Sequence, residues 1–85
     1  MYEVLHHPRA IKFLDKIDKR ERHKIILKID QLQKNSFSKA LDIKRLANVK
    51  ISYRLRVGKI RLIFDINESE KIIYITKIDY RGNVY

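Results

Sequence analysis

Apolar positions along the chain follow two different periods, and the point where the period changes divides the sequence in two. Ala10, Phe13, Leu14 and Ile17 fall at i, i+3, i+4 and i+7, which draws one apolar stripe along a helix of about three turns. Pro8 suits the first turn of that helix, because its missing N–H has no intrahelical partner there in any case. Ahead of it, Tyr2 to His6 alternates around Val4 and predicts a short strand. Asp18 is positioned to cap a second helix over residues 19–34. In that helix Ile25, Ile29 and Leu32 share a face with Ile26 beside them, and Lys24, Lys28 and Lys34 point outward. The two helices predict an antiparallel hairpin. Asn35, Ser36 and Ser38 end the helical pattern, and the segment up to Asn48 has no clean period despite Phe37, Leu41, Ile43 and Leu46, so it is expected to be a loop with apolar anchors.

From Ile51 onward the period is two. Tyr53, Leu55 and Val57 take one face of a strand, and Ser52, Arg54 and Arg56 take the other. Gly58 and Lys59 separate it from a second β-rich run, Ile60 to Ile66, and glycine in the first position of a two-residue loop suits a type II′ hairpin. A polar connection from Asn67 to Glu70 leads into an isoleucine-rich strand from Lys71 to Asp79, followed by a short tail, Arg81 to Tyr85. The predicted order is β-α-α-β-β-β. This is an α+β fold in which a two-helix hairpin covers one face of a small antiparallel sheet, because neither layer can bury its apolar side alone. The other face stays open, with Arg54 and Arg56 projecting from it; whether Arg61 joins them depends on the hairpin register.

Composition adds a partner class to this picture. The 85 residues suit one domain spanning 1–85, and 45% hydrophobic residues without cysteine mean that apolar burial alone must stabilise it. The longest apolar run is Ile72 to Ile75, and no signal-peptide pattern precedes the first helix, so a cytoplasmic protein without membrane contact is expected. Twenty Lys and Arg against ten Asp and Glu leave a net charge of +10, which favours polyanionic partners such as nucleic acid or an acidic protein. No acid lies between Asp42 and Asp65, while Lys44, Arg45, Lys50, Arg54, Arg56, Lys59 and Arg61 all do. Like charges opposed on a sheet destabilise it, so such a cluster points to an anion or acidic partner that neutralises it.

The available chemistry narrows by residue type. Asp65, Glu68, Glu70 and Asp79 are a thin supply of carboxylates for a divalent-metal nuclease, and His6, His7 and His23 lack metal-ligand spacing. Each histidine fits a capping or exposed role better. Gly58 and Gly82, the only glycines, do not form a phosphate-binding loop, so neither nucleotide hydrolysis nor a cofactor is expected. Metal-free cleavage of RNA remains open, since the substrate's own 2′-hydroxyl is the nucleophile and clustered arginines can stabilise the phosphorane-like transition state. The base would be His6, His7 or a tyrosine whose phenolate nearby cations stabilise. Tyr53 and Tyr74 fit sheet packing, Tyr80 fits either base stacking or a solvent-facing strand end, and Tyr85, four residues after Arg81, is the best placed by sequence.

The stretch YRLRVGKIRLIF at 53–64, with KRLANVK before it and the ending YRGNVY, resembles the RelE/ParE superfamily of toxins from toxin–antitoxin systems over nearly the whole chain. In its RelE branch the resemblance implies a ribosome-dependent endoribonuclease that cuts messenger RNA without a metal, with an acidic RelB-like antitoxin as partner. Arg54, Arg56, Arg61, Arg81 and Tyr85 match the family's catalytic positions. By that match Arg61 and Arg81 hold the scissile phosphate, Arg54 or Arg56 stabilises the leaving group and the base, and Tyr85 accepts the 2′-proton. Lys44, Arg45, Lys50 and Lys59 are expected to bind RNA and ribosome. The chain departs from the family in having Tyr80 where many relatives carry histidine, and Ala47 and Asn48 near the usual glycine. The alternatives are a ParE-like inhibitor of DNA gyrase, acting by binding alone, and a non-catalytic basic module for nucleic acid.

Overall fold

Both predicted helices form, and their stripes face the core, with Phe13 and Leu14 partly buried against it. The structure, a computed structural model, describes residues 1–34, 41–46 and 52–80. Strand β1 (Glu3–His6) leads into helix α1 (Pro8–Lys16) and helix α2 (Lys19–Lys34), followed by strands β2 (Asp42–Arg45), β3 (Ser52–Val57), β4 (Ile60–Asn67) and β5 (Ile72–Tyr80). His7 is the N-cap of α1: its Nδ1 accepts the Arg9 backbone N–H at 3.1 Å, and Pro8 follows in the first helical position. Arg22 of α2 fastens the hairpin, donating to the Leu14 carbonyl at 2.8 Å and the Ile17 carbonyl at 3.3 Å, two groups the end of α1 would leave without partners. Ala10, Ile17, Ile25, Ile29 and Leu32 are buried, while Ile26, beside the stripe, is largely exposed.

The sheet has five strands in the order β1-β5-β4-β3-β2. The β3-β4-β5 meander is antiparallel as expected. Gly58 takes φ +59° in the turn between β3 and β4 and Lys59 stays at negative φ, the combination of a II′ rather than a I′ turn. Two features depart from the reading of the sequence. The segment expected to be loop contains β2, which pairs antiparallel with β3 through Ile43 opposite Leu55. Four residues with a single half-buried apolar side chain carry too little alternation to show a period, and pairing with an existing strand supplies what propensity does not. β1, in turn, lies parallel to β5, so the sheet is mixed.

One irregularity decides which way β5 faces. Phe64 pairs with Ile75 and Ile63 with Lys77, which leaves Thr76 as an extra residue, a β-bulge. Thr76 is tied down on both sides, its hydroxyl donating to the Ile63 carbonyl at 3.1 Å and its carbonyl accepting Arg9 Nε at 2.7 Å. The bulge shifts the alternation by one, so that Ile73, Ile75 and Ile78 all turn into the core although their spacing is uneven. The same shift turns Lys77 and Asp79 onto the opposite face, in register with Ile63 and Arg61. The core lies between the helices and the sheet, with Leu55, Leu62, Phe64, Ile73 and Ile75 fully buried.

Candidate active face of the sheet

The face turned away from the helices gathers charge from four strands. Since residues opposite one another on paired strands share a face, the registers give its layout directly. One row runs Asp42, Arg56, Arg61, Asp79 across β2, β3, β4 and β5. The next runs Lys44, Arg54, Ile63, Lys77, and a third pairs Ser52 with Asp65 through a hydrogen bond from Ser52 Oγ to Asp65 Oδ1. Thus Arg56 and Arg61 are direct cross-strand neighbours, with Arg54 two residues along β3.

The two arginines of β3 share an acid. Asp42 Oδ2 accepts Arg56 Nε at 3.0 Å, and its Oδ1 lies 3.8 Å from Arg54 Nη2. Arg54 is the deeper of the two, its side chain 14% exposed against 36% for Arg56 and 51% for Asp42. A guanidinium this far out of water requires an anion nearby, and its rigid planar fork holds donors at the spacing of two oxygens of a phosphate or carboxylate. At the far end of the row Asp79 stands opposite Arg61, and its Oδ1 accepts the Tyr80 backbone N–H at 2.7 Å. Asp42, Asp79 and Lys77 stand on this face without a role assigned to them from the sequence. Asp42 ends the acid-free stretch from one side, and only the β2–β3 pairing, itself unforeseen, brings it against residues 54 and 56.

Of the residues singled out from the sequence, Arg54, Arg56, Arg61 and Lys44 meet on this face. Arg45 stands opposite Tyr53, whose ring stacks on Phe64 in the helix-side layer, so Arg45 belongs to the other face at the sheet's edge. Lys59 is exposed at the tip of the β3–β4 turn. Lys50, Arg81 and Tyr85 lie outside the described residues. Among the tyrosines, Tyr53 packs against the core as expected, and Tyr80 meets Phe13 of α1 edge-on at 5.4 Å, on the helix side. Tyr74 is half-buried on the open face opposite Asp65, with its ring 6.5 Å from that of His7.

The histidines separate in the same way. His6 points between sheet and helices, beside a cavity of about 390 Å³ also lined by Leu14, Ile26, Ile29 and Asp30, and burial lowers its pKa below the ordinary histidine value. That orientation sets it on the far side of the sheet from the arginine row. His7 is committed to its cap through Nδ1. Among the described residues no group of three or more His, Asp or Glu side chains converges as a metal site would require, and no helix is long and apolar enough to cross a membrane.

No protein-family model matches the chain. It is 33% identical over 85 residues to a protein of Methanocaldococcus jannaschii named as the toxin RelE1, an alignment covering 99% of this chain and 94% of that one. The fold superposes on the RelE–RelB complex of Pyrococcus horikoshii with a TM-score of 0.85 at 27% identity, covering 95% of this chain and 96% of that one. A RelB–RelE antitoxin–toxin complex from Methanococcus jannaschii gives 0.79 at 28% identity, covering 95% and 94%. The isolated Escherichia coli RelE toxin gives 0.81 at 14% identity over 96% of this chain and 86% of that one, a likeness of fold alone.

Proposed function

The chain belongs to the RelE family of toxins of toxin–antitoxin systems, and on that premise we propose that it cuts messenger RNA on the ribosome without a metal ion. In this reading residues 1–85 are one toxin domain working in the cytoplasm, kept inactive by an acidic RelB-like antitoxin. The observation that carries it is the pairing of Arg56 with Arg61 on adjacent strands, with Arg54 beside them, on the sheet face the helices leave uncovered.

The chemistry required is small. The 2′-oxygen attacks phosphorus in line, a P–O2′ bond forms, the P–O5′ bond breaks, and the products are a 2′,3′-cyclic phosphate and a 5′-hydroxyl. Charge accumulates on the non-bridging oxygens as this happens, so fixed guanidinium groups bind the transition state more strongly than the ground state. Arg61 and Arg81 hold those oxygens, and Arg54 or Arg56 stabilises the departing O5′ and the base. Tyr85 takes the 2′-proton; a phenol with an ordinary pKa of about 10 becomes competent as a base where neighbouring cations favour its phenolate. The proton for O5′ comes from water or another group, because an arginine guanidinium stays protonated at neutral pH and does not release one.

The test is Tyr85→Phe, which keeps the ring and removes the proton acceptor. Single-turnover cleavage on programmed ribosomes is expected to slow by roughly 10²- to 10⁴-fold with ribosome affinity little changed. Cleavage at the wild-type rate would remove Tyr85 from the mechanism.

A further inference from the structure

We propose that Asp42 is a resident counter-ion of Arg54 and Arg56, which an incoming phosphate must displace, and that it thereby sets the anion affinity of this end of the site. The inference rests on the nuclease reading only for the identity of the natural anion; the counter-ion itself follows from geometry. Arg54 and Arg56 are two residues apart on one strand, so both side chains leave the same face and repel one another. Asp42 bridges them from the neighbouring strand, one carboxylate oxygen toward each, at 3.0 Å to Arg56 Nε and 3.8 Å to Arg54 Nη2. Two oxygens sharing one negative centre are also what a phosphate offers, so the carboxylate already meets the pair as a substrate oxyanion would.

The position of Asp42 suits displacement. It is the first residue of β2, a four-residue strand at the edge of the sheet, and its side chain is 51% exposed. It can therefore swing into water without breaking core packing. While it stays, the pair presents about one net positive charge instead of two, which disfavours stray small anions. A messenger held on the ribosome arrives at high effective concentration and with several phosphates, and can compete where a free ion does not. Lys44, two residues further on the same face and opposite Arg54, remains to meet the strand that replaces Asp42.

Pyrophosphate is the probe. It would be titrated into the full-length wild type, Asp42→Asn and Asp42→Thr at low ionic strength, following the Nε–Hε resonances of Arg54 and Arg56 by NMR. Asparagine keeps the shape and threonine suits a strand, and circular dichroism checks that both variants fold. Both are expected to bind pyrophosphate about 3- to 10-fold more tightly than wild type, with the difference shrinking as salt is added. Equal or weaker binding by both variants, or no measurable binding by any of the three proteins, would overturn the proposal. Messenger cleavage by the wild type is scored separately. Tighter pyrophosphate binding by the variants alongside an intact messenger would retain the counter-ion and remove the nuclease reading. A cut messenger with unchanged pyrophosphate affinity would do the reverse.

Discussion

At the scale of single residues, what separates a reacting site from a merely basic surface is where each positive charge is held. Arg61 is half-buried between Arg56 and Asp79, fixed by strand register, whereas Lys24 is solvated on the helix surface. A fixed donor contributes most as transition-state charge develops, and a solvated lysine contributes mainly to long-range attraction. Arg61→Ala is therefore expected to lower single-turnover cleavage by roughly 10²- to 10³-fold with a smaller effect on ribosome binding. Lys24→Ala should change only affinity and its salt dependence. Uniformly small losses at both positions would reduce the open face to non-specific electrostatics. His6 gives a separate prediction. Burial lowers its pKa in the folded state, so unfolding takes up protons below the ordinary histidine pKa of about 6.5. Its contribution to stability is full above that pH and is lost as the pH falls toward the folded value. Urea midpoints measured from pH 8 down to pH 5 should decline for wild type more steeply than for His6→Gln, and parallel profiles would contradict the assignment.

At the scale of elements, the α1–α2 hairpin depends on one side chain more than its stripe suggests. Arg22 answers two terminal carbonyls of α1, and hydrogen bonds from a charged donor contribute about 1.5–3 kcal/mol. Arg22→Ala should lower the unfolding free energy by about that much without altering cleavage per folded molecule, as denaturant titration and single-turnover rates together would check. A loss below a few tenths of a kcal/mol would show that the helices need no such fastening. The stripe itself was legible in the sequence, because Ala10, Phe13, Leu14 and Ile17 repeat with the helical period and a period is a local property. So was the β3–β4 turn at Gly58, and with it the face carrying Arg54 and Arg56. Strand β2 was not, since it exists by pairing with β3 rather than by its own pattern. The bulge at Thr76 was hidden for a related reason: the uneven spacing of Ile75 and Ile78 is a phase change that reads as weak alternation until the partner strand is known. Both omissions bear on the site. They conceal Asp42 and Asp79, which flank the arginine pair and give each arginine an acid on its outer side.

At the scale of the whole molecule, among the described residues the helices cover only one side of the sheet, and the chain carries a net charge of +10. A charge of this size restrains non-specific association with other cationic proteins and draws in polyanions, the class to which the proposed partners, ribosome and acidic antitoxin, belong. The antitoxin segment is expected to fold as it binds, so co-expression of the toxin with the product of a neighbouring small acidic gene should give a co-purifying complex and restore growth. Failure on both counts would remove that partner. Ribosome-dependent cleavage is tested by mapping the ends of a messenger after single-turnover incubation of the wild-type protein with programmed ribosomes. The expected result is an internal cut that leaves a 2′,3′-cyclic phosphate upstream and a 5′-hydroxyl downstream, absent when ribosomes are omitted. An intact messenger, with the same protein blocking supercoiling by DNA gyrase, would contradict it.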